Sequence, residues 1–148
     1  MKLEDLQGKP AVMISPDATI LEAAELMDRT ATGSLMVVDD GNLVGIVTDR
    51  DIVVRGVARR APGDGRIDSV MSTEVVTIDG AADLRDACRV FAKHAIRRLP
   101  IVSDGKVIGI VTVDDLFFTL VNDLADVARP VTAEVLFGHA EPGLPIRA

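Results

Sequence analysis

Leu35-Met36-Val37-Val38-Asp39-Asp40-Gly41-Asn42-Leu43-Val44-Gly45-Ile46-Val47-Thr48-Asp49-Arg50-Asp51-Ile52 decides how this chain folds, because it occurs twice. At an offset of 64, Leu99 to Leu116 lies over it without a gap, and nine of the 18 pairs are identical: Leu35/Leu99, Val38/Val102, Asp40/Asp104, Gly41/Gly105, Gly45/Gly109, Ile46/Ile110, Val47/Val111, Thr48/Thr112 and Asp51/Asp115. The same offset carries Ile14 onto Ile78, Ile20 onto Leu84 and Ala23 onto Ala87. A block of this kind marks a tandem repeat of two units.

Within each unit the elements follow from hydrophobic period and turn chemistry. Val12 to Ile14 and Val75 to Ile78 are short apolar strands. Ile20, Leu21, Ala23, Ala24, Leu26 and Met27 recur at helical spacing, as do Leu84, Ala87, Cys88, Val90 and Phe91. Leu35–Val38 and Leu43–Val47 flank Asp40-Gly41, and Leu99–Val102 and Val107–Val111 flank Asp104-Gly105; such dipeptides supply the positive φ of a tight hairpin. A second helix is expected from Asp49 to about Val57, and its counterpart from Val113 to about Asn122. The fold class is α/β (α+β), with each unit β-α-β-β-α and the two joined by Arg59 to Asp68, where Pro62-Gly63-Asp64-Gly65 stops a helix. Strands apolar on both faces must be covered on both sides. Two units packed as a pseudo-twofold module provide that cover and leave clefts between their sheets, where ligands lodge.

Composition narrows the function. The 148 residues carry 16 Lys plus Arg against 23 Asp plus Glu, a formal charge of −7, with no Trp or Tyr. The acidic balance argues against a nucleic-acid polymer as partner, and the lack of Trp and Tyr removes the usual stacking platform for bases. Cys88 is the only cysteine, so no intrachain disulfide forms, and with His94 and His139 it shows no zinc-ligand spacing. Met1-Lys2-Leu3-Glu4-Asp5 has no signal-peptide core, and no apolar run reaches the ~18 residues of a membrane span. A soluble cytoplasmic protein without membrane attachment is expected, and no nucleophile–base pair, metal cluster or phosphate-binding loop points to an enzyme.

The string Gly-Ile-Val-Thr-x-x-Asp, at Gly45–Asp51 and Gly109–Asp115, ends a strand and opens a helix. Thr-x-x-Asp before an apolar run is a capping box. The same chemistry serves a nucleotide: backbone N–H groups at a helix start attract phosphate, a carboxylate accepts ribose hydroxyls, and a Thr hydroxyl donates to a phosphate oxygen. Capping and nucleotide binding are compatible.

The duplicated unit closing on this motif resembles a pair of cystathionine-β-synthase (CBS) domains, a Bateman module. The resemblance covers roughly residues 8–123, divided as 8–60 and 69–123, with 124–148 a tail outside the repeat. It implies clefts for adenosyl ligands (AMP, ADP, ATP, sometimes S-adenosylmethionine), with the motif Asp on the ribose and the motif Thr near phosphate or ribose. It also implies that the motif of one unit faces the pre-hairpin turn of the other. One cleft would then combine Thr48, Arg50, Asp51, Val76, Ile96, Arg97 and Arg98, and the other Val12, Thr32, Gly33, Ser34, Thr112 and Asp115.

Arg97 and Arg98 can clamp phosphate oxygens with help from Arg50, so the Asp51 cleft should favour phosphorylated ligands. Gly33 and Ser34 bring no charge and Asp114 adds repulsion, so the Asp115 cleft should be weaker or take a less charged adenosyl group. Exposed hairpin arginines are equally ordinary solvated residues. Cys88 and Phe91 are expected in the core. The chain is similar to small stand-alone bacterial stress- or hypoxia-response members of the family. That implies a non-catalytic sensor of adenine nucleotides, with no catalytic cofactor, acting as a homodimer on an unidentified protein partner. The rival readings are a protein-interaction or structural module with vestigial clefts or another ligand such as S-adenosylmethionine, and an undetected nucleotide hydrolase.

Overall fold

The computed structural model describes residues 1–6 and 10–137. It forms two bodies, 1–113 and 114 onward, each described by itself. In the first, β1 (Met13–Ile14), α1 (Ile20–Thr30), β2 (Ser34–Asp39), β3 (Asn42–Thr48) and the short α2 (Asp49–Asp51) make repeat one. β4 (Ile78–Asp79), α3 (Leu84–His94), β5 (Arg98–Ser103) and β6 (Lys106–Thr112) make repeat two.

Two three-stranded sheets result, ordered β1-β2-β3 and β4-β5-β6. In each, the first pair is parallel and the hairpin antiparallel, and the registers coincide at the repeat offset: Ser34 faces Thr48, and Arg98 faces Thr112. Both hairpins slip at equivalent places, Val37/Val38 and Ile101/Val102. The turns adopt the positive φ that Asp-Gly supplies: 47° and 82° at Asp40 and Gly41, 50° and 76° at Asp104 and Gly105. The first helix of each repeat opens on a complete capping box, Thr19 with Glu22 and Asp83 with Asp86, and closes on a left-handed alanine, Ala31 or Ala95.

The interior of repeat one is aliphatic, with Leu35, Val37 and Val47 from the sheet meeting Ile20, Ala23 and Met27 of α1. Ile67 and Val70, from the joining segment, complete it. That segment docks backward: the Ile67 N–H donates to the Ala18 carbonyl, and the Ile20 N–H to Gly65. The N-terminus does the reciprocal thing, its Leu3 N–H donating to Ala82 and its Glu4 N–H to Gly80 of repeat two. Leu3 and Ile67, 64 positions apart, each start a short 3-10 turn and are each almost wholly buried. The leading turn of one repeat therefore completes the other.

Four local expectations differ from the structure. The helix from Asp49 widens into a π turn at Ile52–Gly56 and tightens to 3-10 at Val57–Arg59. The strand at Val75–Ile78 is confined to Ile78–Asp79. Cys88 is exposed, because α3 turns Ala87 and Phe91, one turn apart, toward the interior. The helix expected to end near Asn122 continues as α4 (Val113–Phe137) through Pro130. Helix formers such as Leu124, Ala125 and Ala128 carry it on, although Pro130 offers no N–H to the Asp126 carbonyl. His139, Pro142 and Pro145 lie outside the described residues. No helix among the described residues is long and apolar enough to cross a membrane.

Candidate functional site

The last residues of β3 and the pre-hairpin turn of repeat two line one cavity of about 480 Å³. Thr48, Arg50, Val76, Ile96, Arg97 and Arg98, all expected together, are in its wall. Ile46, Asp49, Ser72, Glu74, Val75, Ala95 and Pro100 complete it. The result is an aliphatic slot of Ile46, Val75, Val76 and Ile96 bordered by three guanidiniums and two carboxylates.

Asp51 is not in that wall. Its Oδ2 accepts from the Thr48 N–H and the Thr48 hydroxyl, both at 2.9 Å, while its own N–H donates back to Thr48 Oγ1 at 3.1 Å. Its Oδ1 stays outside this ring and lies 3.9 Å from Arg55 Nε. The motif thus builds a complete capping box. That corrects one expectation, because the first N–H groups of the helix are already partnered. Asp49 donates to the Gly33 carbonyl at 3.0 Å, Arg50 to Asp49 Oδ1 at 2.8 Å, and Asp51 to Thr48. A phosphate finds no open backbone donor among these three, so recognition of negative charge falls to Arg50, Arg97 and Arg98.

Glycines set the spacing. A Cβ on Gly45 would stand 2.7 Å from Met71 Sδ and 2.9 Å from the Ser72 carbonyl oxygen. Only a bare backbone lets residues 71–72 close on β3, where Ile46 and Ser72 exchange two hydrogen bonds at 2.9 Å. From there the extended chain runs along the cavity through Glu74, Val75 and Val76. A Cβ on Gly33 would meet both Asp49 Oδ2 and Arg98 Nη2 at 3.0 Å.

Residues expected in the other cleft are placed as follows. Gly33 borders the Asp49 and Arg98 side chains of the first cavity. The Thr32 hydroxyl donates to the carbonyl of the buried Ser34 at 3.2 Å. The Val12 carbonyl accepts from Met36, and Thr112 ends β6 opposite Arg98. Asp115 belongs to the second body, where its carbonyl accepts from the Thr119 hydroxyl at 2.9 Å.

Sequence reasoning set Asp49 in this cleft only as a minor repulsive charge and missed Glu74 altogether. Asp49 was legible as the residue beside the motif Thr. Glu74 sits in irregular chain with no periodicity to expose it. The leading turns were also legible, since Leu3-Glu4-Asp5-Leu6 lies over Ile67-Asp68-Ser69-Val70 at the offset of 64.

Comparison with known proteins agrees with this architecture. The family model for the CBS domain matches residues 3–57 and again 67–122. A CBS domain-containing protein of Bacillus subtilis, YhcV, is 41% identical over 114 residues, covering 77% of this chain and 81% of its own. Hypoxic response protein 1 of Mycobacterium tuberculosis is 29% identical over 76% of this chain and 80% of its own. The crystal structure of the CBS domain pair of protein MJ0100, in complex with 5-methylthioadenosine and S-adenosyl-L-methionine, superposes with a TM-score of 0.74 at 27% identity, covering 83% of this chain and 98% of that one.

Proposed function

This chain belongs to the CBS-domain family, and from that premise we propose that it is a non-catalytic regulatory protein that binds an adenine nucleotide (AMP, ADP or ATP) and signals to a protein partner. The observation that carries the proposal is the meeting of Arg50, Arg97 and Arg98 with an aliphatic slot in one cavity of about 480 Å³. That size lies in the range of small-molecule sites. The purine fills the space among Ile46, Val75, Val76 and Ile96, and the phosphates take the guanidiniums, whose forked donors match phosphate oxygens. Asp51 Oδ1, free of the capping box, accepts ribose hydroxyls. Thr48 shapes the site by holding Asp51.

The turn of repeat one that is equivalent to the arginine turn (Thr32, Gly33, Ser34) is weaker for phosphorylated ligands. At the repeat offset, Arg50, Arg97 and Arg98 are replaced by Asp114, Gly33 and Ser34. Signalling is a shift of population: a nucleotide held by both repeats favours one arrangement of them and so changes affinity for the partner. Homodimerisation belongs to the same reading, since α4 leaves Phe117, Leu124, Val127 and Val135 about 70% exposed or more.

Thermal melting with AMP, ADP, ATP and S-adenosylmethionine tests it. A ligand at 100 times its Kd adds about 2.7 kcal/mol, hence several degrees for a chain of this size. No shift with any of them at millimolar concentration contradicts the sensor and leaves the protein-interaction module. Asp51→Ala should lose the phosphorylated ligand and Asp115→Ala largely spare it; equal losses overturn the assignment of clefts. A second reading, S-adenosylmethionine in this cavity, is favoured by Asp49 and Glu74, which would face its positive charges. A shift with that ligand alone selects it. Phosphate release from ATP would select the hydrolase.

A further inference from the structure

The π turn at Ile52–Gly56 carries Arg55, and this residue reaches two things at once. Its Nη1 lies 3.3 Å from the carbonyl oxygens of Val70 and Met71 and 3.4 Å from Ser72 Oγ. Its Nε lies 3.9 Å from Asp51 Oδ1, the carboxylate oxygen that the capping box leaves over. Residues 70–72 end on Ser72 of the cavity wall and lead on to Glu74, Val75 and Val76. They are pinned on one side by the paired backbone of Ile46 and Ser72 across bare Gly45. Arg55 is a second pin on the same residues.

We propose that Arg55 is a positioning residue for the nucleotide site, tying the free oxygen of Asp51 to the chain segment that walls the cavity. The inference rests on the function proposed above and assigns that site a control element outside its wall. A planar guanidinium suits the task, because its fixed fork spans two neighbouring carbonyls and a carboxylate together. A ribose hydroxyl that engages Asp51 Oδ1 shares that oxygen with Arg55. Occupancy is therefore felt in residues 70–72 and in the π turn, whose outer side exposes Val53 and Val54. Arg55 stands four residues after Asp51, the spacing that puts two helical side chains on one face, and it sits within the π turn that follows the motif. Repeat two lacks this arginine. At the same offset stands Thr119, whose hydroxyl is spent on the Asp115 carbonyl one turn back. The control is thus specific to the cleft with the arginines.

The test compares wild type, Arg55→Lys and Arg55→Ala by two readouts. The first is amide hydrogen exchange in the nucleotide-free protein. Met71 and Ser72 N–H groups, bonded to Ile67 and Ile46, should exchange faster in both variants, while amides of α3 keep their protection. Unchanged exchange at Met71 and Ser72 overturns the proposal whether or not any nucleotide binds. The second is ADP titration by calorimetry. Loss of a charge-assisted contact predicts roughly ten- to hundredfold weaker binding in Arg55→Ala, with Arg55→Lys recovering only part of it. A lower melting temperature with unchanged ADP affinity reduces Arg55 to a fold-stabilising residue and also overturns it. Failure of wild type to bind ADP, AMP or ATP contradicts the proposed function and is read separately from the exchange result.

Discussion

The Asp49 N–H donates to the Gly33 carbonyl at 3.0 Å, and at the repeat offset the Val113 N–H donates to Arg97 at 3.1 Å. In both repeats the residue after the motif Thr is stitched to the pre-hairpin turn of its own unit. The backbone bond is common to both, but the side chains differ. Where repeat one places Gly33, repeat two places a guanidinium in the cavity wall. Gly33→Ala should test how closely that wall is set. The new Cβ would land 3.0 Å from Asp49 Oδ2 and Arg98 Nη2, both ends of side chains that can move. The fold should lose less than about 1 kcal/mol, while moving a phosphate-clamping Arg98 should weaken ADP binding about tenfold. Calorimetry beside a thermal melt checks both, and unaltered affinity would remove Arg98 from the site.

Gly45 and Gly109 occupy equivalent motif positions with different surroundings. Gly45→Ala collides with Met71 Sδ and the Ser72 carbonyl, whereas an alanine at 109 meets only Ile101 at an ordinary 3.7 Å. Urea denaturation should find Gly45→Ala less stable by about 1–3 kcal/mol and Gly109→Ala nearly unchanged. Equal losses would mean that the close approach at Gly45 has been overstated.

Asp83 caps α3, and the N–H groups of Asp86 and Arg85 that face its carboxylate hold its pKa below the usual carboxylate range. A group whose pKa is lowered by folding contributes stability above its unfolded value, and the contribution fades as pH falls through the lowered one. Asp83→Ala should therefore melt below wild type at neutral pH, and the gap should narrow as pH falls below the ordinary carboxylate value of about 4. A gap independent of pH would assign the cap's effect to something other than the ionised carboxylate.

Ala31 ends α1 at φ 50°, in the left-handed region, and is exposed. Its N–H approaches the Asp28 carbonyl and the next N–H closes on Met27, a capping turn that glycine enters without strain. Ala31→Gly should raise the melting temperature by a degree or more, since the left-handed conformation costs alanine about 1 kcal/mol. A lower melting temperature would show that glycine's greater freedom in the unfolded chain outweighs the relief.

The parts of the fold visible in the residues were those with local chemistry. Asp40-Gly41 and Asp104-Gly105 had to be hairpin turns, and Thr48 with Asp51 had to cap whether or not they also served a ligand. Six of the seven residues expected in the first cleft share one cavity, because the motif end of repeat one meets the pre-hairpin turn of repeat two. Asp51 falls outside the wall because a complete capping box takes one of its two carboxylate oxygens, an outcome set by side-chain rotation. Arg55 went unread because its bonds to Val70, Met71 and Ser72 lie 15 to 17 residues away in sequence, although its place four residues after Asp51 is ordinary helical pairing. The last helix exceeds its expected length because that expectation followed the repeat, whereas the helix formers beyond Asn122 carry α4 on through Pro130.

The reciprocal docking of Leu3 and Ile67 also sets an order of assembly. As the chain emerges from synthesis, repeat one has its closing turn once residue 70 is out, since Ile67 and Val70 belong to its interior. Repeat two depends on a turn made before repeat one, which must wait for Ala82 to appear. Long loop closures of this kind slow folding more than they cost stability. Cutting the chain between Arg59 and Arg66 would yield two fragments, each holding the other's missing piece. Separately they should be incomplete; mixed, they are built to find each other.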